Sequence, residues 1–436
     1  MSKIYRAIAR SMGSRYLTYA IQFASLMILA RLFSPEVFGL IASVQVFYLF
    51  FQLLADGGLA PAVIGLESLE RKDRDGIFGL TVAAGLLLAG AFLVLTPAIT
   101  TFYEAPALAT VVPYICVALI FNTMSILPIA TLQRQQSFYQ LAMAGVIGEF
   151  IALAVVLTAR TSIEPLHALA LRLPIYSFVN YVIVHFCSRW TDFGRPRPGS
   201  HLSAVRPLLR VAGFQMAFNA LNYFSRNLDK ILIARHMGAA TLGIYDRSYS
   251  LMRYPLQLLT FAMTPAIQPV LRSHSNDPAF VRKVHNDLAL KLSLLAVACA
   301  TGIYFMAETI VVVAFGKQWV ASVPIIRLLS LSIPVQVVLS TSGSFFQTFK
   351  RTDLMFVCGV FSAVTNVAAI VWGVSTGSIE LLCWALFVSF HVNFFQAYYL
   401  LHAKVLMGGL RTFMGKVAPA AFCVAVLAGT ELYRGG

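Results

Sequence analysis

Charge is what this chain has least of. Only 12% of its 436 residues are Asp, Glu, Lys or Arg, against roughly 25% in a soluble domain. Acids are the scarcer sign, 18 against 33 bases. With 58% hydrophobic residues and a mean hydropathy of +0.77, the composition excludes a domain solvated on all sides and indicates an integral membrane protein. The short alternating segments of a β-barrel are missing. Apolar runs of about 20 residues recur instead, each long enough to cross a hydrocarbon core of about 30 Å as a helix. No CxxC pair joins the six cysteines, Cys116, Cys187, Cys299, Cys358, Cys383 and Cys423. All fall in apolar runs and read as small buried hydrophobes. The eight histidines show no HExxH spacing, so neither a metal nor a cofactor is assigned.

What is present is a series of spans near 13–31, 37–60, 76–100, 107–129, 139–158, 165–187, 211–234, 240–265, 287–315, 320–347, 354–373 and 379–402, with a weaker, short thirteenth over 417–433. The basic start, Lys3, Arg6, Arg10 and Arg15, precedes a full-length apolar segment without a small-residue cleavage site, so it reads as a retained first helix. Positive residues accumulate on the cytoplasmic side of membrane proteins. With the N-terminus cytoplasmic, 22 of the 33 Lys and Arg fall inside, five outside and six within spans. That asymmetry accounts for the net charge of +15 without any nucleic-acid partner.

The basic, Pro- and Gly-rich stretch 188–210 falls near the middle of the chain and reads as a cytoplasmic linker. It divides an N-terminal six-helix bundle, 1–187, from a C-terminal one, 211–402, followed by a tail, 403–436. Shifting the second half back by 204 positions aligns Ala30-Arg31 with Ala234-Arg235, Gly39 with Gly243, and Pro61-Ala62 with Pro265-Ala266. The expected architecture is therefore all-α and polytopic: two six-helix bundles related by a parallel pseudo-repeat, facing each other across a central cavity.

Ionisable residues at bilayer depth cost at least about 2.5 to 3.5 kcal/mol each and normally face protein or a water-filled cavity. On the seventh span Gln215, Asn219, Asn222, Arg226 and Lys230 follow steps of three or four and share a helix face. Asp229 is the local counter-charge. Arg226 and Lys230 are like charges one turn apart, an arrangement suited to holding an anion between them. On the eighth span Tyr249, Arg253 and Gln257 repeat at the same spacing. Arg172 and Arg327 lie about a third of the way into their spans and read equally as structural or functional. Among acids, Glu149 is the most deeply placed and Asp56 sits near the inner end of the second span. These two are the candidates for carrying a coupling ion.

The segments ILARLFSPEVFGLIA (28–42), LLADGGLAPAVI (53–64), NLDKILIARHMGAATLGIYDRSYSLMRYPLQ (227–257) and TPAIQPVL (264–271) resemble the polysaccharide-synthesis or Wzx-type oligosaccharide flippases of the multidrug/oligosaccharidyl-lipid/polysaccharide exporter superfamily. The resemblance covers nearly the whole chain. It implies a multi-pass protein of the bacterial inner membrane, without enzymatic activity, that moves an undecaprenyl-diphosphate-linked oligosaccharide toward the polysaccharide polymerase machinery. In that setting Arg226, Lys230 and Arg253 would hold the diphosphate, and Gln215, Asn219, Asn222 and Tyr249 the sugars. The lipid tail would stay among bilayer lipids, and a proton or sodium ion is a compatible but not required coupling partner. The alternatives are a peptidoglycan-precursor flippase and a cation-coupled multidrug exporter of the same superfamily. The exporter would want a cavity dominated by carboxylates, whereas the mid-span charges here lean basic. A membrane glycosyltransferase or polymerase acting outside would need a large outward loop, and every outward loop here is only a few residues long.

Overall fold

The structure, a computed structural model, describes residues 18–66, 69–201, 205–261 and 278–435, with side chains for 18–66, 69–201, 220, 223–260 and 279–434. The described chain is helical throughout: α1 (Thr18–Leu32), α2 (Pro35–Asp56), α3 (Leu59–Gly65), α4 (Arg71–Tyr103), α5 (Leu108–Arg134), α6 (Phe138–Ala159), α7 (Pro165–Ala170) and α8 (Arg172–Cys187). One continuous run, Val205–Phe261, breaks at Gly238, whose φ of 85° and ψ of 168° are non-helical. It therefore forms two helices, α9 (205–237) and α10 (239–261). Then come α11 (Pro278–Ala314), α12 (Val323–Ser330), α13 (Ile333–Thr348), α14 (Thr352–Ser375), α15 (Ile379–Lys404) and α16 (Leu410–Gly435). Among the described residues nine helices are long and apolar enough to cross a membrane, and a bent pair, Lys317–Ser330 with Ile333–Thr348, supplies a tenth. The chain is a polytopic all-α membrane protein. The two helices flanking Gly238 correspond to the expected seventh and eighth spans.

Packing divides the chain into Met1–Gly243 and Ile244–Gly436. The first unit takes in α9, beyond the 188–210 stretch expected from the sequence to divide the halves. The contacts of α9 account for this. Tyr223 of α9 donates its hydroxyl to the Val46 carbonyl of α2 at 2.6 Å, and the Phe50 and Phe224 rings lie 4.6 Å apart. Just past Gly238, at the start of α10, the backbones nearly touch. A Cβ on Gly39 would sit 1.7 Å from the Ala239 carbonyl oxygen, and one on Gly243 1.9 Å from that of Pro35. The shift of 204 maps Pro35 onto Ala239 and Gly39 onto Gly243. Each glycine thus meets the residue that the shift of 204 pairs with the other's contact. The third repeat signature, Pro265-Ala266, lies outside the described residues. Neither neighbouring backbone can move away cheaply. Gly39→Val and Gly243→Val are each expected to destabilise the protein by about 1–3 kcal/mol, read as a lower melting temperature in detergent; unchanged melting of both would mean the helices do not cross this tightly.

The 188–210 stretch is not a free tether over its described part. Arg74, 7% exposed, donates to Asp75 at 2.8 Å and to the Phe193 carbonyl. Asp75 in turn accepts from the Arg197 amide at 2.9 Å, and His201 meets Asp73 at 2.9 Å. These contacts strap residues 193–201 along the first turn of α4.

In the second unit, α16 replaces the expected short thirteenth segment with a 26-residue helix. Two contacts set its direction. Lys416 pairs with Asp287 of α11 at 3.5 Å, and Tyr304 of α11 donates to Glu431 at 2.6 Å. The helices therefore run parallel over about 25 Å, at 1.5 Å per residue, and α16 crosses whatever α11 crosses, in the same sense. Of the cysteines, Cys116 and Cys383 are buried as expected, Cys187 and Cys358 half-buried, and Cys299 and Cys423 exposed. The exposed pair lies on apolar helices, where a thiol is compatible with lipid.

Candidate functional site

The described part of α9 divides by environment. Tyr223 and Phe224 dock on α2, while Asp229 is 6% exposed and its Oδ1 accepts from the Lys230 amide at 2.8 Å. Lys230 is half-buried, and Arg226, one turn earlier, is exposed. Arg226 forms no ion pair or hydrogen bond among the described residues, so Asp229 does not neutralise it. Three predicted contacts on this face, Gln215, Asn219 and Asn222, lie outside the described side chains. Toward the end of α9, Arg235 pairs with Glu104 at 2.6 Å. The residue-count topology puts both of these at outer ends, and the ion pair agrees with it.

Tertiary contacts sort the remaining mid-span charges into used and unused. Arg172 holds Glu149 through Nε at 3.1 Å and Nη2 at 2.7 Å, both on Oε1. The Glu149 side chain is 4% exposed and that of Arg172 35%. Arg247 pairs with Asp246 at 2.8 Å. Of the two acids singled out for ion coupling, Glu149 therefore has a structural partner in Arg172. Arg253, by contrast, is exposed and has no partner among the described residues. Tyr249 lies one turn away, half-buried, with its ring 5.7 Å from that of Tyr245.

One polar cluster escaped the sequence reading. Asn122 of α5 donates to Tyr48 of α2 and to Ser177 of α8 at 2.8 Å, tying three helices together at bilayer depth. A lone Asn in the apolar run 108–134 was the available signal. Its partners, 74 and 55 residues away, were not visible in any local pattern. Interhelical polar contacts of this kind stabilise membrane bundles by about 0.6 kcal/mol on average.

Comparison with known proteins places these features in context. Residues 28–324 match the family described as "Polysaccharide biosynthesis protein". The chain is 24% identical over 392 residues to the lipopolysaccharide biosynthesis protein WzxC of Escherichia coli, covering 89% of this chain and 78% of that one. It is 22% identical over 392 residues to the succinoglycan biosynthesis transport protein ExoT of Rhizobium meliloti, covering 88% and 78%. Among solved structures the lipid II flippase MurJ in an inward closed conformation superposes with a TM-score of 0.77 at 10% identity, covering 96% of this chain and 92% of that one.

Proposed function

We propose that this chain, which belongs to the polysaccharide biosynthesis protein family, is a flippase that moves a lipid-diphosphate-linked oligosaccharide across the bacterial inner membrane for surface polysaccharide assembly. The observation that carries the reading is Arg226: an exposed guanidinium on a helix of an apolar chain, without a described counter-charge, while Arg172 and Arg247 are neutralised by their own acids. An unneutralised guanidinium at bilayer depth is stable when an anion or water meets it, and its planar fork suits a phosphate. Lys230 adds a point charge one turn on, and on the second unit Arg253 repeats the condition of Arg226.

Orientation follows from the Lys and Arg count, which puts the N-terminus in the cytoplasm. An inside-negative potential then favours outward movement of the diphosphate by about 2.3 kcal/mol per charge per 100 mV. Coupling to a proton or sodium ion is compatible with that arithmetic and not demanded by it. The named relatives act in polysaccharide biosynthesis, which favours a sugar repeat unit over a peptidoglycan precursor. A multidrug exporter fits less well, since it carries cations and the mid-span charges without a partner among the described residues, Arg226 and Arg253, are basic.

Deletion of the gene is expected to remove a surface polysaccharide and leave its lipid-linked repeat unit in the inner leaflet, restored by the intact chain in trans. Unchanged polysaccharide and no retained intermediate would rule the reading out.

A further inference from the structure

We propose that the tenth span, α12 with α13, carries a polar track on the second unit along which the transported headgroup moves, with Arg327 as an anion contact and Gln336 and Ser340 as sugar contacts. This rests on the flippase reading above. Neither helix was singled out for this by hydropathy, because the averages hide how the burial is distributed. In α12, Val323, Ile325, Ile326, Leu328, Leu329 and Ser330 are buried, whereas Pro324 and Arg327 are half-buried. In α13, Val335, Val337, Val338, Thr341, Phe345 and Phe346 are among the buried side. On the less buried side Gln336, Leu339 and Gly343 are half-buried and Ser340 and Gln347 exposed. Positions 336, 340, 343 and 347 follow steps of four, three and four, and at 100° per residue they form one narrow stripe.

The stripe has the opposite chemistry to the lipid-facing surface of the same unit. The exposed side chains of α14 include the apolar Met355, Phe356, Val357, Val360, Phe361 and Val364. Acyl chains laid against α13 would leave the Gln336 amide without a partner of its own strength. Among the described residues its Nε2 reaches only the Met252 sulfur, at 3.7 Å, a weak acceptor. Ser340 donates to the Val337 carbonyl at 2.7 Å and keeps lone pairs to accept from a hydroxyl. Arg327 Nε is buried without a hydrogen-bond partner. One amide that donates and accepts, one hydroxyl acceptor and one unpaired guanidinium make a set suited to an anionic, hydroxyl-rich ligand. The set also sits beside a predicted one, since Met252 is the residue before Arg253 on α10. The bend of 52° between the two halves of this span follows from Pro334, which lacks an N–H and crowds the carbonyl four residues back.

The test is thiol accessibility in whole cells and inverted vesicles, with the six native cysteines replaced by alanine, using a charged, membrane-impermeant thiosulfonate. Gln336→Cys, Ser340→Cys and Gly343→Cys are expected to react at least about tenfold faster than Val364→Cys, because the reactive thiolate needs water. Equal, slow reaction at all four would place the stripe against lipid and overturn the track. Gln336→Leu is further expected to cut polymer export at least about tenfold, with Gln336→Asn retaining part of it, at unchanged membrane abundance. Normal export by Gln336→Leu and Arg327→Gln would overturn the ligand assignment. Fast labelling together with unchanged polysaccharide in the deletion strain would instead sink the flippase reading and leave a water-lined face standing.

Discussion

Replacing both Arg226 and Arg253 by alanine is expected to abolish surface polysaccharide export while the protein remains folded in the membrane. A hydrogen bond to a charged group contributes about 1.5–3 kcal/mol, so each substitution alone should lower export by roughly ten- to a hundredfold and the pair below detection. Folding should be spared because both side chains are exposed and have no described partner to orphan. The lysine variants discriminate further. Arg226→Lys keeps the charge and loses the bidentate fork, and is expected to retain a fraction of export. Normal polymer from cells carrying both alanine substitutions would remove these arginines from the substrate path.

The second large effect is on stability, at the Glu149 and Arg172 pair, and it should be asymmetric. Arg172→Leu leaves a carboxylate that is 4% exposed without its counter-charge, a loss of about 3–5 kcal/mol when one partner of a buried pair is removed. Glu149→Leu leaves a guanidinium that is 35% exposed and able to reach water, so the cost should fall to about 1–2 kcal/mol. Adding Glu149→Gln to Arg172→Leu should recover at least half of the loss, since a neutral amide needs no counter-ion. The measurement is melting temperature in detergent for these three variants and for Glu149→Gln alone, alongside export. Export that falls in step with abundance assigns the pair to holding α6 against α8. Export lost from Glu149→Gln at normal abundance would assign Glu149 to ion coupling instead.

Much of this architecture is legible without coordinates because the bilayer imposes it locally. Helix count and placement follow from apolar length. The Lys and Arg asymmetry gives a topology in which Arg235 and Glu104 share a side, as their ion pair requires. The role of each mid-span charge is not local in this way. Glu149 is neutralised by a residue 23 positions on, and Asp229, three residues from Arg226, does not neutralise it. The face of α13 that carries Gln336 and Ser340 is hidden among valines whose burial depends on neighbours far away in the chain.

The sequence by itself determined that this is a polytopic helical membrane protein, which family it resembles, and which cations lie at bilayer depth, because hydrocarbon thickness and insertion act on contiguous segments. Only the tertiary structure decided which of those cations are consumed by ion pairs, that α9 packs with the first unit through Tyr223 and Phe224, and that α16 runs parallel to α11. Each of these depends on the register between helices distant in sequence. That register is set by side-chain packing across the interface rather than by the composition of either helix.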